Sequence, residues 1–177
     1  PTITSVDINS TDPTTNNTDV NITIYPRNVS DLDGDIVSNI SNWFVDGTNA
    51  AVFFMPFETN ISNSSSGSVN VREYSGLGNN GTIMENAFWT TTLGCIRGGC
   101  YRFDGSDDTI NSSADSDLAF TSRHNFTITA WINFTGVDGT TYGAIVTHYN
   151  NSLSTSWNSW EFYARSTRQL DFFVRGN

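Results

Sequence analysis

The 177-residue chain carries 18 acidic side chains against 8 basic ones, a formal net charge of −10, and all eight cations are arginine. A lysine-free chain with this carboxylate excess is a poor match for a phosphate backbone or an anionic membrane surface, which counts against nucleic-acid and membrane-surface binding. The longest apolar run, 50–57, is eight residues with Pro56 inside it, too short to span a bilayer.

Asparagine, serine and threonine number 21, 21 and 23, together as many as the whole hydrophobic set. Val, Ile, Thr, Tyr, Phe and Trp total 70 residues, against 29 of the strong helix formers. Branched and aromatic side chains suit a pleated, half-buried surface and lose rotamer freedom in a helix, so the expected fold class is all-β.

In chain order, Thr2–Ile8 reads as a first strand, followed by a Ser/Thr/Asp/Pro/Asn turn region. Val20, Ile22 and Ile24 alternate with Asn21 and Thr23, the period-two pattern of a second strand. The acidic turn Ser30 to Asp35 follows, then a third strand over Asn39–Val45 that ends at Asp46-Gly47. Three strands cannot close a sandwich, so residues 1–49 read as the opening of a domain. Ala51–Phe57 reads as a buried strand, and a Ser/Asn/Gly loop follows. Further strands are expected at Ile83–Met84, Ala87–Trp89, Tyr101–Phe103 and around Ile110. The clearest alternation is Phe126, Ile128, Ala130, Ile132 and Phe134, set between Asn125, Thr127, Thr129, Trp131 and Asn133. Trp160, Phe162 and Ala164 form another set, and Leu170, Phe172 and Val174 the last. Many short strands joined by polar turns predict an antiparallel β-sandwich or jelly roll over 50–177.

Three motifs carry a family resemblance. Glu73-Tyr74-Ser75-Gly76-Leu77-Gly78-Asn79-Asn80-Gly81-Thr82 resembles the entry motif of laminin G-like, concanavalin A-like domains, with Glu73 where that pattern normally has Asp. Tyr101-Arg102-Phe103-Asp104-Gly105-Ser106-Asp107-Asp108 is similar to their hairpin, and Phe126 to Ile132 to their Phe-Thr-x-x-Ala-Trp strand. The resemblance covers roughly 50–177. It implies a two-sheet jelly roll with roles in carbohydrate or protein binding, adhesion and architecture. Residues 1–49 resemble the start of an immunoglobulin-like domain. The combination resembles archaeal and bacterial surface proteins in which the one domain interrupts the other. Such jelly rolls need more strands than remain before Asn177, so the C-terminal strands are expected to lie outside this sequence or to come from a neighbouring subunit across an open edge. No signal-like segment follows Pro1, so an export signal would have been removed or would lie outside the sequence.

Twelve asparagines stand in N-x-(S/T) acceptor triplets: Asn9, Asn16, Asn21, Asn28, Asn39, Asn60, Asn63, Asn80, Asn111, Asn125, Asn133 and Asn150. Composition alone would give about five. In six of them (Asn21, Asn28, Asn39, Asn60, Asn125 and Asn133) the middle residue is Ile, Val or Phe. On a strand that spacing sends Asn and Ser/Thr to solvent and the middle residue to the core. The alternative is that an Asn/Thr-rich sheet protein produces such triplets incidentally.

Other candidate sites are fewer. Asp31, Asp33 and Asp35 present alternate carboxylates around Gly34 and form a candidate calcium site, or a solvated acidic turn. Asp104, Asp107 and Asp108 make a weaker cation candidate beside ordinary hairpin chemistry. Cys95 and Cys100 flank a Gly-rich turn and are expected to form a local disulfide in an exported protein. Trp131, Trp157 and Trp160 are candidates for a sugar-stacking platform, against the alternative of burial. The four glutamates (Glu58, Glu73, Glu85 and Glu161) are widely spaced, and no nucleophile elbow or phosphate loop is present. His124 and His148 match no zinc spacing with the cysteines and read as surface or strand residues. The expectation is a non-enzymatic, cofactor-free, heavily N-glycosylated structural module of an extracellular or cell-surface filament protein, associating with itself or with neighbouring surface domains. The alternative is a calcium-assisted, lectin-like adhesion module that binds glycans.

Overall fold

The alternating residues near the N-terminus form a two-stranded ribbon. In the computed structural model, β1 (Ser5–Ser10) pairs antiparallel with β2 (Ile22–Arg27), placing Asp7 opposite Tyr25, Ile8 opposite Ile24 and Asn9 opposite Thr23. The structure describes residues 1–12, 14, 20–35, 37–58, 70–92, 94–96, 98–112, 117–120, 125–136, 142–148 and 159–175. Beyond the strands the Thr11 N–H donates to Asn21 O at 3.0 Å, and the Thr4 N–H donates to Arg27 O at 3.2 Å. Because side chains alternate across a strand, one face of the ribbon carries Val6, Ile8, Ile22 and Ile24. The other carries Asp7, Asn9, Thr23, Tyr25 and Arg27. On that polar face Arg27 Nε donates to Asp7 Oδ2 at 2.8 Å, and the guanidinium lies 5.5 Å from the Tyr25 ring centroid.

The ribbon belongs to the first of two compact units, Pro1–Ser41 and Asn42–Asn177. The division falls before the expected 49/50 boundary, because the third strand does not join the ribbon. Of Asn39–Val45 only β3 (Phe44–Val45) is a strand, and it pairs with β4 (Thr48–Asn49) in the second unit. Between them Asp46 and Gly47 have φ of 51° and 78°. Positive φ at both central residues is what a tight two-residue hairpin turn requires.

The rest of the second unit is a set of small antiparallel sheets, and the described residues contain no helix. β5 (Asn70–Val71), β6 (Gly81–Met84) and β9 (Thr109–Ser112) form one sheet with β6 central. Gly81 is the residue squeezed there, since a Cβ would lie 2.5 Å from Ile110 Cγ2. β7 (Phe88–Thr90) pairs with β8 (Cys100–Arg102), and Cys95 is disulfide-bonded to Cys100 at the mouth of this hairpin. β10 (Tyr142–His148), β11 (Ser159–Arg165) and β12 (Leu170–Arg175) form a three-stranded meander with β11 in the middle. All-β architecture with small antiparallel sheets therefore matches the compositional expectation.

Two expected strands behave differently. Residues 51–57 are mostly half-buried, yet form no ladder among the described residues. Residues 125–134 keep the alternation only in part: Phe126, Ile128 and Phe134 are half-buried, Ala130 and Ile132 are exposed, and again no ladder is formed among the described residues. Their apolar side packs instead as a layer on the meander. Trp160 and Leu118 are the centre of the hydrophobic core, and Phe53, Phe120, Phe126, Ile128 and Val146 pack against them. The Phe126 ring lies 4.6 Å from Phe120 and 5.8 Å from Phe172.

One buried hydroxyl stands out. Tyr101 is 8% exposed, its ring meets Phe57 edge-on at 5.3 Å, and its OH has no hydrogen-bond partner. Burial pushes the phenol above its ordinary value of 10.0. The folded state then holds this proton where the unfolded chain releases it. Stability from this group is full below the ordinary value and is lost as pH rises through the raised one. Tyr101→Phe should therefore be neutral, or stabilising by up to about 1 kcal/mol, at neutral pH. It should also soften the alkaline fall in stability. Urea denaturation at neutral and alkaline pH measures both effects, and a loss above about 1 kcal/mol would show that the hydroxyl is used.

Candidate functional site

The acceptor asparagines are arranged by strand geometry. Asn9 lies on β1 opposite Thr23, the hydroxyl residue of the Asn21 triplet, so Asn9, Asn21 and Thr23 share the polar face of the ribbon. Asn28 follows β2 with a φ of 49°, a left-handed conformation that asparagine tolerates better than most residues. Asn111 sits on β9 opposite Thr82, the hydroxyl residue of the Asn80 triplet. Asn125 and Asn133 lie on the outward side of 125–134.

All eight acceptor asparagines among the described residues (Asn9, Asn21, Asn28, Asn39, Asn80, Asn111, Asn125 and Asn133) are exposed. Asn16, Asn60, Asn63 and Asn150 lie outside the described residues, as do Trp157 and His124. Of the four asparagines outside the triplets whose burial is described, Asn86 is exposed too, and the other three behave otherwise. Asn42 Nδ2 donates to Tyr74 O at 2.9 Å, Asn49 Nδ2 donates to Ser75 O, and Asn79 Nδ2 donates to Asp117 Oδ2 at 3.1 Å. None of these three is exposed. Asn80 is instructive: its Oδ1 accepts the Glu73 N–H at 2.9 Å, an arrangement that orients the amide without using Nδ2, the atom a glycan would occupy.

The middle residues divide. Phe126, Phe134, Val29 and Ile40 are at least half-buried, in keeping with the strand-period argument, but Ile22 is 55% exposed. Ile22 points to the apolar face of a ribbon that has only two strands, so period-two spacing selects a face without supplying a second layer to cover it.

The acidic groups are partly explained by local bonding. The carboxylates of Asp31, Asp33 and Asp35 converge, with one oxygen of each within 4.8 Å of the others. Asp31 also accepts the Asp33 N–H at 3.2 Å through Oδ1, and its Oδ2 lies 2.6 Å from the Pro1 nitrogen. Asp104, Asp107 and Asp108 converge equally closely. There Asp108 accepts the Asn86 and Asp104 N–H groups, each at 2.8 Å, and Asp104 Oδ1 accepts the Ser106 N–H at 2.8 Å. With Gly105 at a φ of 89°, these bonds build the hairpin loop by themselves.

Glu73 has a role that its spacing did not disclose. It is 5% exposed, and its Oε1 accepts the N–H groups of Phe54 at 2.7 Å and Ser75 at 2.5 Å, while Oε2 accepts the Ser75 hydroxyl at 2.8 Å. The Glu-x-Ser spacing followed by Gly76 and Gly78, at φ of 90° and 81°, was the available signal, since a carboxylate two residues before Ser can gather turn amides. Glu58 Oε2 accepts the Gly99 N–H at 3.4 Å, Glu85 lies exposed at a φ of 56°, and Glu161 is buried on β11. Glu73 and Glu58 thus hold backbone.

The tryptophans separate. Trp131 is 87% exposed and Trp160 only 3%. Trp160 Nε1 donates to Leu118 O at 2.8 Å, and His148 stacks on its ring at 6.0 Å. A side chain enclosed in this way offers no face to a sugar, which removes Trp160 from a surface platform.

Comparison with family models, curated proteins and solved structures finds no match to this chain.

Among the described residues the candidate groups are exposed acceptor amides in both units, a converging carboxylate cluster in each, and the open Trp131 indole and the disulfide in the second. Among the described residues no helix is long and apolar enough to cross a membrane.

Proposed function

We propose that the chain is a non-catalytic structural module of an extracellular, heavily N-glycosylated surface or filament protein. In this reading residues 50–177 are a laminin G-like jelly roll and the first residues a partial immunoglobulin-like segment. The observation that carries it is the sorting of asparagines: all eight described acceptor residues are exposed, whereas three of the four others, Asn42, Asn49 and Asn79 but not Asn86, are turned to structural hydrogen bonds. The Cys95–Cys100 bridge fits an oxidising compartment. β10 and β12 are the outer strands of the meander, and outer strands are the kind of surface through which sheet proteins associate.

Glycopeptide mass mapping of the protein purified from its own cells tests this reading. The expected result is glycan mass on most of the eight exposed acceptors; twelve unmodified triplets would overturn it. A second reading, the calcium-assisted lectin, is favoured by the convergence of Asp31, Asp33 and Asp35. Calorimetric titration with calcium decides it, since the lectin reading requires saturable binding that Asp33→Asn weakens.

A further inference from the structure

Trp131 is the most exposed aromatic side chain among the described residues. Trp is highly buried on average, and at 87% exposed this indole presents open ring faces that a ligand can cover. It stands in a segment, 125–136, without turn or bend. Burial alternates over 125–129, whereas 129–133 are all exposed, Ile132 included at 45%. By extended-chain spacing the next residue on Trp131's own side is Asn133, acceptor of the Asn133-Phe134-Thr135 triplet. In extended chain, residues two apart lie about 7 Å apart and project in the same direction.

Asn133 is alone among the twelve acceptors in having Trp, Tyr or Phe two residues before it. On its other flank Asn133 Nδ2 lies close against Gly94, where a Cβ would come within 2.7 Å of it, so only glycine fits beside this acceptor. A pyranose presents a face of C–H groups, which complements the electron-rich face of an indole. A sugar tethered at this spacing is also present at an effective concentration of the order of millimolar, above that of most free ligands.

We propose that Trp131 is the docking platform for the chain's own glycan at Asn133, whose first pyranose ring packs on the indole and covers it. This rests on the glycosylated reading above and adds to it a defined role for one side chain. The glycan is then held against the protein surface as part of the folded module, and the indole is unavailable to free sugars.

Residue-resolved hydroxyl-radical labelling of the protein from its own cells, read with glycopeptide mapping, is the test. Covering one of two ring faces should reduce Trp131 labelling roughly twofold relative to Thr135→Ala or Asn133→Gln, each of which abolishes the acceptor. Thr127→Ala removes the Asn125 acceptor about 20 Å away along the strand and should leave Trp131 labelling unchanged. An Asn133 without glycan in the starting protein would defeat the glycosylated reading at this site and the platform with it. Glycan present on Asn133 with Trp131 labelled equally in all variants would overturn the platform alone. Equal loss of protection in Thr127→Ala would also overturn it, by showing general shielding instead of a seated ring.

Discussion

Replacement of Trp160 by alanine is expected to lower the unfolding free energy of the 42–177 unit by about 3–5 kcal/mol, the largest effect of any single core truncation in the molecule. The indole is 3% exposed and touches every layer of the core. Phe120 stacks on it at 6.3 Å, Phe126 leans at 6.1 Å and His148 stacks at 6.0 Å from the opposite strand. Truncation opens a void among these rings and leaves the Leu118 carbonyl, now bonded to Nε1 at 2.8 Å, without its donor. Trp160→Phe separates the two contributions. It keeps most of the ring volume and loses the hydrogen bond, so it should cost about 1–3 kcal/mol. Urea denaturation followed by far-UV circular dichroism measures both. A loss below about 1 kcal/mol for the alanine variant would mean that the core is not organised around this residue. The experiment also bears on function, because a tryptophan that holds two layers together is not available to recognise a ligand.

The strands around this core were partly legible in the sequence, and the exceptions have physical causes. The sets Trp160, Phe162, Ala164 and Leu170, Phe172, Val174 gave β11 and β12, and their observed register places Phe162 opposite Phe172. β10 was not anticipated. Its register shifts between Ala144 and Val146, and such a bulge breaks the period-two pattern on which the reading depends. The segment 125–134 shows the converse. Alternation placed Phe126 and Ile128 in the core as expected, but Ala130 and Ile132 are exposed, and the pattern carries no information on whether a neighbouring strand supplies hydrogen bonds. Likewise Trp131 and Trp160 are chemically identical in the sequence, and only tertiary packing makes one a core anchor and the other a surface ring. The exposure of the eight described acceptor asparagines was legible, because it follows from local strand parity and from turn positions. The role of Glu73 was half legible. The turn residues after it were evident, but its bond to the distant Phe54 N–H was not.

Removal of that bond is the second large effect. Glu73→Ala should destabilise the second unit by about 2–6 kcal/mol, because it strips the acceptor from two backbone N–H groups at once, at about 1–3 kcal/mol each. The Phe54 N–H at 2.7 Å and the Ser75 N–H at 2.5 Å both point at Oε1, in a site where Glu73 is 5% exposed and Ser75 equally so. The same turn is held from outside by Asn42 Nδ2 on Tyr74 O and by Asn49 Nδ2 on Ser75 O. Loss of the carboxylate should therefore loosen the 73–80 turn before it unfolds the sheet, and limited proteolysis should cut there first. Glu73→Gln keeps one oxygen for the two N–H groups and turns an amide toward the Ser75 hydroxyl, which can accept. It gives up the charge assistance and should cost only about 1–2 kcal/mol. The order alanine above glutamine, with cleavage confined to the turn in the alanine variant, is the expected result in urea denaturation and peptide mapping. Equal stabilities for the two variants would mean that the carboxylate does not bind the turn. The turn also places Asn80 at the surface, through the Glu73 N–H on Asn80 Oδ1 at 2.9 Å. A glycan acceptor and a buried carboxylate are thereby linked through one residue's backbone, and the alanine variant should disorder the acceptor together with the turn.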